Sequence, residues 1–239
     1  MKKVIIIGAS SGIGSELAKL YAAEGWYVGM TARRVHLLET LAASFPHKNW
    51  MIRAMDTALS DESRNILAEM IKDMQGVDVF IYNAGVGINS AKWDIEHNTI
   101  HVNAVGFAAL TNYVFHYFKS ERKKGQIVGI SSVAGRRGMR SMIAYSATKA
   151  FMSTYMEGLR QEVRAKKLPI AISDIRPGFV ETPMTKGQKG MFWVVSASRA
   201  ARDIFHAVSK EKSVAYIPYR WTLVAKIIEN IPDFIWERM

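Results

Sequence analysis

The sequence predicts an α/β fold: a doubly wound parallel β-sheet with helices on both faces, built as a single domain over residues 1–239. Three observations carry this expectation. Strand-like and helix-like runs alternate along the whole chain. Several of the strand-like runs are continuously apolar, as parallel strands covered on both faces must be. A glycine-rich turn, Gly8-Ala9-Ser10-Ser11-Gly12-Ile13-Gly14, separates the first strand from the first helix.

The expected strands are Val4–Ile7, Trp26–Thr31, Trp50–Met55, Val77–Tyr82, Gln126–Ile130, Ile170–Ile175 and Val214–Ile217. Between them, Leu17, Leu20 and Tyr21 recur at helical spacing, as do Leu37, Leu38 and Leu41, and Ile66, Met70 and Met74. Two long apolar segments, Thr99–Phe118 and Ala144–Val163, read as helices buried on more than one side. Neither a linker nor a repeat interrupts the series. A βαβ series of this kind closes with right-handed crossovers.

Composition narrows the function. The chain is 49% hydrophobic and 22% charged, the balance of a globular protein. It has no cysteine, which fits a reducing compartment, and a cytoplasmic location is expected. The apolar run after Met1-Lys2-Lys3 is too short for a signal peptide, and no stretch is long enough to span a bilayer. The net charge is +11, but the basic residues are dispersed in small clusters such as Arg122-Lys123-Lys124 and Lys166-Lys167. No nucleic-acid partner is expected from that pattern. The six histidines show no paired ligand spacing, so no metal is expected.

The glycine-rich turn sits where a chain passes from strand to helix beside a pyrophosphate. Small residues let the backbone approach, and the helix start offers free amides to the phosphates. The second strand indicates which dinucleotide. Ala32 stands where a binder of the unphosphorylated ribose places a carboxylate, and Arg33-Arg34 follow. Guanidinium groups pair with a 2′-phosphate, whereas a carboxylate would repel it. Cations are also unfavourable at a helix start, so two of them there suggest a purpose. NADP(H) is the expected cofactor.

Tyr145-Ser146-Ala147-Thr148-Lys149 carries the chemistry. Tyrosine and lysine four apart share one helix face. A carbonyl receiving hydride needs a proton on its oxygen, and a phenol can donate it. A nearby ammonium favours the phenolate, so Lys149 is expected to lower the pKa of Tyr145. Ser132 precedes Tyr145 by thirteen positions, and its hydroxyl can hold the substrate oxygen. Asn103 is an amide inside an otherwise apolar helix and must find a partner.

These motifs, with Asn83-Ala84-Gly85 after the fourth strand and Pro177-Gly178-Phe179-Val180-Glu181-Thr182 after the sixth, resemble the short-chain dehydrogenase/reductase family over about residues 1–185. The resemblance implies a Rossmann-like fold and an oxidoreductase acting on CH–OH groups. It implies that Tyr145 is general acid/base, that Lys149 also holds the nicotinamide ribose, and that Ser132, rather than Ser131, orients the substrate. Asn103 then positions a water linked to Lys149. Asp56-Thr57 would lie against the adenine, with Thr57 departing from the family's usual valine. The Asn83-Ala84-Gly85 backbone would meet the adenine-side ribose, and Pro177, Gly178, Val180 and Thr182 the nicotinamide end. Gly8, Ser10, Ser11, Gly12, Ile13 and Gly14 complete the cofactor set. The two long helices pair across a two-fold axis in the family, implying a homodimer or homotetramer.

Substrate identity is less defined. A ketone, a keto-sugar or a ketoacyl compound fits the chemistry, with reduction the expected direction. Met139, Met142, Met184 and Met191 fall in loops expected to line the substrate pocket and hint at an apolar or lipid-linked molecule. Two rivals stand beside this reading: an inactive NADP-binding sensor or scaffold, and the keto-reductase half of a lipid-linked sugar epimerase. The tail, residues 219–239, reads as a helix with Trp221, Val224, Ile228 and Ile231 on one side and Leu223 and Ile227 beside them, ended by Pro232. It is expected to cover the sheet edge or pocket, seal an oligomer contact, or dock on a membrane surface.

Overall fold

A computed structural model describes residues 1–45, 49–87, 92–187 and 190–238. Seven strands form one parallel sheet: β1 (Lys3–Ile7), β2 (Tyr27–Ala32), β3 (Trp50–Ala54), β4 (Val79–Tyr82), β5 (Gly125–Ile130), β6 (Ile170–Pro177) and, last in the chain, Val214–Ile217. Their order across the sheet is β3-β2-β1-β4-β5-β6 followed by Val214–Ile217 at the edge, all neighbours parallel. Each expected strand is present, with ends displaced by one or two residues. The chain direction of winding reverses between β1 and β4, so a crevice opens at their C-terminal ends.

Alternation along β1 explains the two layers. Val4 and Ile6 point to one face, where they pack with α1 (Gly12–Ala23), α2 (Val35–Ala43) and the helix Ala197–Ser209. Ile5 and Ile7 point to the other, against α3 (Ser60–Asp73) and the two long helices. Both faces of every central strand are therefore apolar, which is why these strands read as unbroken hydrophobic runs.

The first long helix differs from expectation. It comprises α4 (Trp93–Ile100), a π-helical stretch His101–Gly106 and α5 (Phe107–Ser120). A π stretch inserts an extra residue into the helical turn. Here it lets the Gly106 backbone lie against the Thr57 carbonyl, where a β-carbon would stand 2.2 Å away. The second long helix, α6 (Ile143–Ala165), follows a short 3₁₀ turn at Val133–Arg136.

Two short strands, β7 (Val180–Glu181) and β8 (Val195–Ser196), pair outside the main sheet and were not foreseen. Ser196 then caps α7 (Ala197–Ser209), its hydroxyl accepting from the Arg199 amide at 3.2 Å. After β9 (Val214–Ile217) the tail forms α8 (Trp221–Asn230) and, beyond Pro232, α9 (Asp233–Trp236). Trp221 and Ala225 are buried, with Val224 and Ile228 packed around them, whereas Leu223 and Ile227 face outward. No helix of the described residues is long and apolar enough to cross a membrane.

Candidate active site

One cleft at the sheet crevice is lined by Gly8, Ser10–Ile13, Arg33, Arg34, Asp56, Thr57, Asn83–Val86, Ser132, Tyr145, Lys149, Pro177, Gly178, Val180 and Thr182. Every sequence-predicted site residue except Gly14 and Asn103 thus reaches the same surface.

Gly14 lies one layer down. A β-carbon there would stand 2.2 Å from the Gly8 carbonyl oxygen and 2.5 Å from the Asn83 amide nitrogen. Asn83 donates that amide to the Gly8 carbonyl at 2.7 Å, tying the end of β4 to the turn after β1. Gly8 itself holds φ +84° with its α-carbon against the Ala84 backbone, a conformation and an approach that both require glycine. The turn is thereby held open as a backbone cradle at the start of α1.

The two arginines divide their tasks. Arg34 donates to the hydroxyls of Ser10 and Ser11 at 3.2 and 3.3 Å. Arg33 is exposed, and among the described residues it has no carboxylate or hydrogen-bond partner. Ala32 leaves the end of β2 without a carboxylate. A guanidinium beside a glycine turn, without a carboxylate partner among the described residues, suits a phosphate.

At the other end, three side chains converge. Ser132 follows β5, accepts from the Ala134 amide at 3.1 Å and donates weakly to the Pro177 carbonyl at 3.4 Å. The Tyr145 hydroxyl hydrogen-bonds Ser132. Lys149 donates to the Ile130 carbonyl at 2.9 Å and lies 5.6 Å from the centre of the Tyr145 ring. Ser131 is excluded from this set, because its hydroxyl is spent on buried Asp174 and the Ile175 carbonyl.

The electrostatics refine one expectation. Burial pushes the Tyr145 phenol above its ordinary pKa, and only the Ser132 hydrogen bond opposes this. Burial outweighs the lowering expected of Lys149, whose ammonium lies 5.6 Å from the ring centre and donates to the Ile130 carbonyl. A raised phenol holds its proton, the state needed to donate. Lys149 is drawn down to about 8 by burial, with Asp174 acting in the opposite direction.

Asn103 is buried in the π stretch. Its amide oxygen accepts from the Val86 amide at 2.9 Å, and its nitrogen donates to the Val86 carbonyl at 2.8 Å and to Thr148 at 3.2 Å. It therefore bonds the segment after β4. Its oxygen and the Lys149 ammonium both lie about 3.5 Å from where a Gly85 β-carbon would stand.

Sequence reasoning missed three contributors. Gly87 leaves room for the Tyr145 ring, which a β-carbon would approach within 2.7 Å; its signal was a second glycine two residues after Gly85. Thr185 accepts from the Thr182 amide at 3.0 Å and donates to the Val180 carbonyl at 2.7 Å, closing the loop that carries both. Asp174, buried and paired with Arg176 at 2.7 Å, supports Ser131 and Lys149 from behind. Among the methionines expected at the pocket, Met184 lines the cleft, whereas Met139 lines a separate cavity with Arg136, Arg137, Arg140 and Ile143. Loop placement, not chain position, decides which methionine meets the substrate side.

Known proteins give an independent comparison. A family profile described as short chain dehydrogenase matches residues 2–191. An uncharacterised oxidoreductase of Myxococcus xanthus is 34% identical over 190 residues, covering 77% of this chain and 74% of its own. Nodulation protein G of a Rhizobium species is 31% identical over 224 residues, covering 90% and 89%. A solved short-chain dehydrogenase from Sphingobium yanoikuyae, in complex with NADPH, superposes with a TM-score of 0.83 at 22% identity, covering 98% of this chain and 97% of that one. With the matched family spanning the glycine turn, the Ser132–Tyr145–Lys149 group and the crevice between β1 and β4, the chain belongs to the short-chain dehydrogenase family and is an oxidoreductase.

Proposed function

We propose that this protein reduces a carbonyl to an alcohol with NADPH, or runs the reverse reaction, using Tyr145 as general acid/base. The observation that supports the reading most is the convergence of Ser132, Tyr145 and Lys149 at one end of a cleft whose other end holds a glycine cradle and an unpaired Arg33.

The residues present fit NADP(H). Gly8, Gly12 and Ile13 with the start of α1 would hold the pyrophosphate, and Arg33 with Arg34, Ser10 and Ser11 the 2′-phosphate. Asp56, Thr57 and Asn83–Gly85 line the adenosine side, and Pro177, Gly178, Val180 and Thr182 the nicotinamide side. When bound, the cofactor supplies the hydride. Ser132 then hydrogen-bonds the substrate oxygen and fixes its distance from Tyr145. Tyr145 passes its phenolic proton to that oxygen as negative charge develops on it. Lys149, cationic at neutral pH, stabilises the phenolate left behind. Asn103 positions this group by pinning Val86, next to the Gly87 that seats the Tyr145 ring. A solvent-side proton then restores Tyr145.

Substrate class remains the carbonyl class as a whole: ketones, keto-sugars and 3-ketoacyl thioesters. Following NADPH absorbance across those three sets identifies it, and absence of consumption with all of them would remove support for a reductase. Tyr145→Phe is expected to cut kcat by about 10²–10⁴ while NADPH binding, read by fluorescence, stays near wild type. A variant retaining more than about a tenth of kcat would rule Tyr145 out as the proton donor.

Arg33→Asp is expected to move preference from NADPH towards NADH, because it replaces a phosphate partner with a carboxylate suited to the free ribose. The measurement is kcat/KM for both cofactors. Equal wild-type values would show that the 2′-phosphate is not read at Arg33.

The Lys149 value sets a pH dependence. A lysine pulled down to about 8 is charged below that pH and loses its charge as pH rises through it. Since kcat/KM for NADPH reports ionisations of the free protein, it should fall on the alkaline side of about 8. A flat profile from pH 7 to well above 9 would separate the Lys149 charge from cofactor capture.

We also propose that copies of the chain pair through α4–α6. Trp93, Val105, Ile143 and Phe151 stand exposed on this stretch, and two-fold pairing would cover apolar surface that the sheet leaves open. Light scattering should then give a mass above 26.8 kDa, the mass of one chain. A single-chain mass at micromolar concentration would refute the pairing.

A further inference from the structure

The tail helix α8 has two apolar faces. Its inner face is accounted for: Trp221 packs on Gly178, whose β-carbon would stand 2.1 Å from the indole, and Ala225 is fully buried. Its outer face carries Leu223 and Ile227, one turn apart and 60% and 55% exposed. Tyr219 precedes it at 80% exposure, and α9 adds Phe234 at 64% and Ile235 at 44%. At the start of α8, Arg220 lies over the Trp193 ring, joining the exposed Phe192-Trp193-Val194 loop to the same surface.

The tail is clamped at several points rather than fraying. Arg136 pairs with Glu229, and Arg137 pairs with Asp233 at 2.8 Å and lies over the Trp236 ring. Trp236 donates its indole N–H to the Gly138 carbonyl at 2.8 Å. These clamps hold the apolar side chains outward. They also neutralise two of the tail's acids against arginines of the 3₁₀ turn and its neighbour. Arg220, Lys226, Arg238 and nearby Arg140 have no carboxylate partner among the described residues, and the whole chain carries +11.

We propose that the outer face of α8–α9 with the 192–194 loop is a docking surface for an anionic lipid bilayer. Each feature has a physical role in that contact. Leu223, Ile227, Phe234 and Ile235 enter the acyl boundary as an interfacial helix does. Trp193 and Tyr219 suit the headgroup level. The unpaired cations draw the surface to anionic lipid, an attraction confined to about a Debye length. The inner face of α8 rests on Gly178, a residue of the cleft wall, and Met184, half-exposed, lines the same cleft. Docking would therefore bring the substrate end of the cleft within about one helix diameter of the lipid. The proposal is independent of which carbonyl the protein reduces.

The test is flotation of the full chain with vesicles of phosphatidylcholine and phosphatidylglycerol, against phosphatidylcholine alone, at low and high salt. Binding is expected to the anionic vesicles at low salt and to weaken as salt rises. The double variant Leu223→Glu/Ile227→Glu, at exposed positions, should reduce the bound fraction about tenfold or more. Circular dichroism confirms its fold, and Phe234→Glu on the separate helix carries the same expectation should the double variant unfold. No flotation of the wild type, or flotation unchanged by these substitutions, overturns the proposal. A fall in mass of the double variant by light scattering, with no vesicle binding by the wild type, assigns the face to a second copy and overturns it equally.

Discussion

Burying the ammonium of Lys149 is the constraint around which the chemical end of this protein is arranged. The residue is 4% exposed. Taking a charge out of water costs several kcal/mol unless dipoles and opposite charges meet it. Three groups do so: the Ile130 carbonyl, the face of the Tyr145 ring, and the field of buried Asp174. Each also holds something else in place. Ile130 ends β5 directly before the two serines. Asp174 accepts the Ser131 hydroxyl and pairs with Arg176, which in turn donates to the Tyr216 hydroxyl at 2.9 Å. A single polar network thus ties β5, β6 and β9 to one helix side chain. Burial still outweighs Asp174, so the lysine is charged at neutral pH with little margin.

The same network explains the division of labour between adjacent serines. Ser131 and Ser132 are chemically identical, and alternation along the extended chain sends them to opposite sides. Ser131 enters the core, where its hydroxyl satisfies a carboxylate. Ser132 turns to the cleft, and its hydroxyl caps the 3₁₀ turn through the Ala134 amide while meeting the phenol. Capping fixes the rotamer of the side chain, so its hydroxyl is held at the cleft surface. At the cofactor end the equivalent constraint is steric. The Asn83 amide spans from β4 to the Gly8 carbonyl, and this requires Gly8, Gly14 and Ala84 to leave almost no side-chain volume between the strands.

How much of this was legible in the sequence follows from the range of each interaction. Strands buried on both faces, such as β4 and β5, announce themselves as apolar runs, and the partly exposed edge strands β3 and β9 still carry enough apolar residues to be read; only the ends, where hydrogen bonding to a neighbour decides, were displaced. Spacing within one helix placed Tyr145 and Lys149 together. The π stretch was not readable, because Gly106 meeting Thr57 and Asn103 meeting Val86 are contacts between distant segments. Asp174 gave no signal for a similar reason: a carboxylate inside a strand is recognised only when Arg176 and Ser131 are seen beside it. The lowering of the phenol expected from Lys149 is outweighed by burial, which spacing within one helix cannot supply. Four residues put the ammonium 5.6 Å from the centre of the tyrosine ring, but the burial of the phenol is set by the distant segments packed around it. The tail helix was readable, but its inward centre was set by small Ala225, which a reading weighted to large side chains passes over.

The Gly178 wall of the cleft is backed by a part of the chain outside the matched family region, which ends at residue 191. Trp221 is the link. Its ring stacks on Phe192 at 4.9 Å and meets Phe179 and Trp193 edge-on at 5.4 and 6.3 Å, while its flat side covers Gly178. The indole N–H has no acceptor among the described residues, a cost of about 1–3 kcal/mol for a buried donor. Three ring pairs return about 0.5–1.5 kcal/mol each beyond the area they bury, so the packing prevails and the cluster holds. Phe179 and Gly178 belong to the matched region, and Phe192, Trp193 and Trp221 do not. The chemical group is thereby fixed by residues common to the family pattern, while the wall beside it depends on how one tail tryptophan fills the space that Gly178 leaves. A change at Trp221 or Phe192 would alter that wall without touching Ser132, Tyr145 or Lys149, which is how one fold with one chemical group can present walls of different shape.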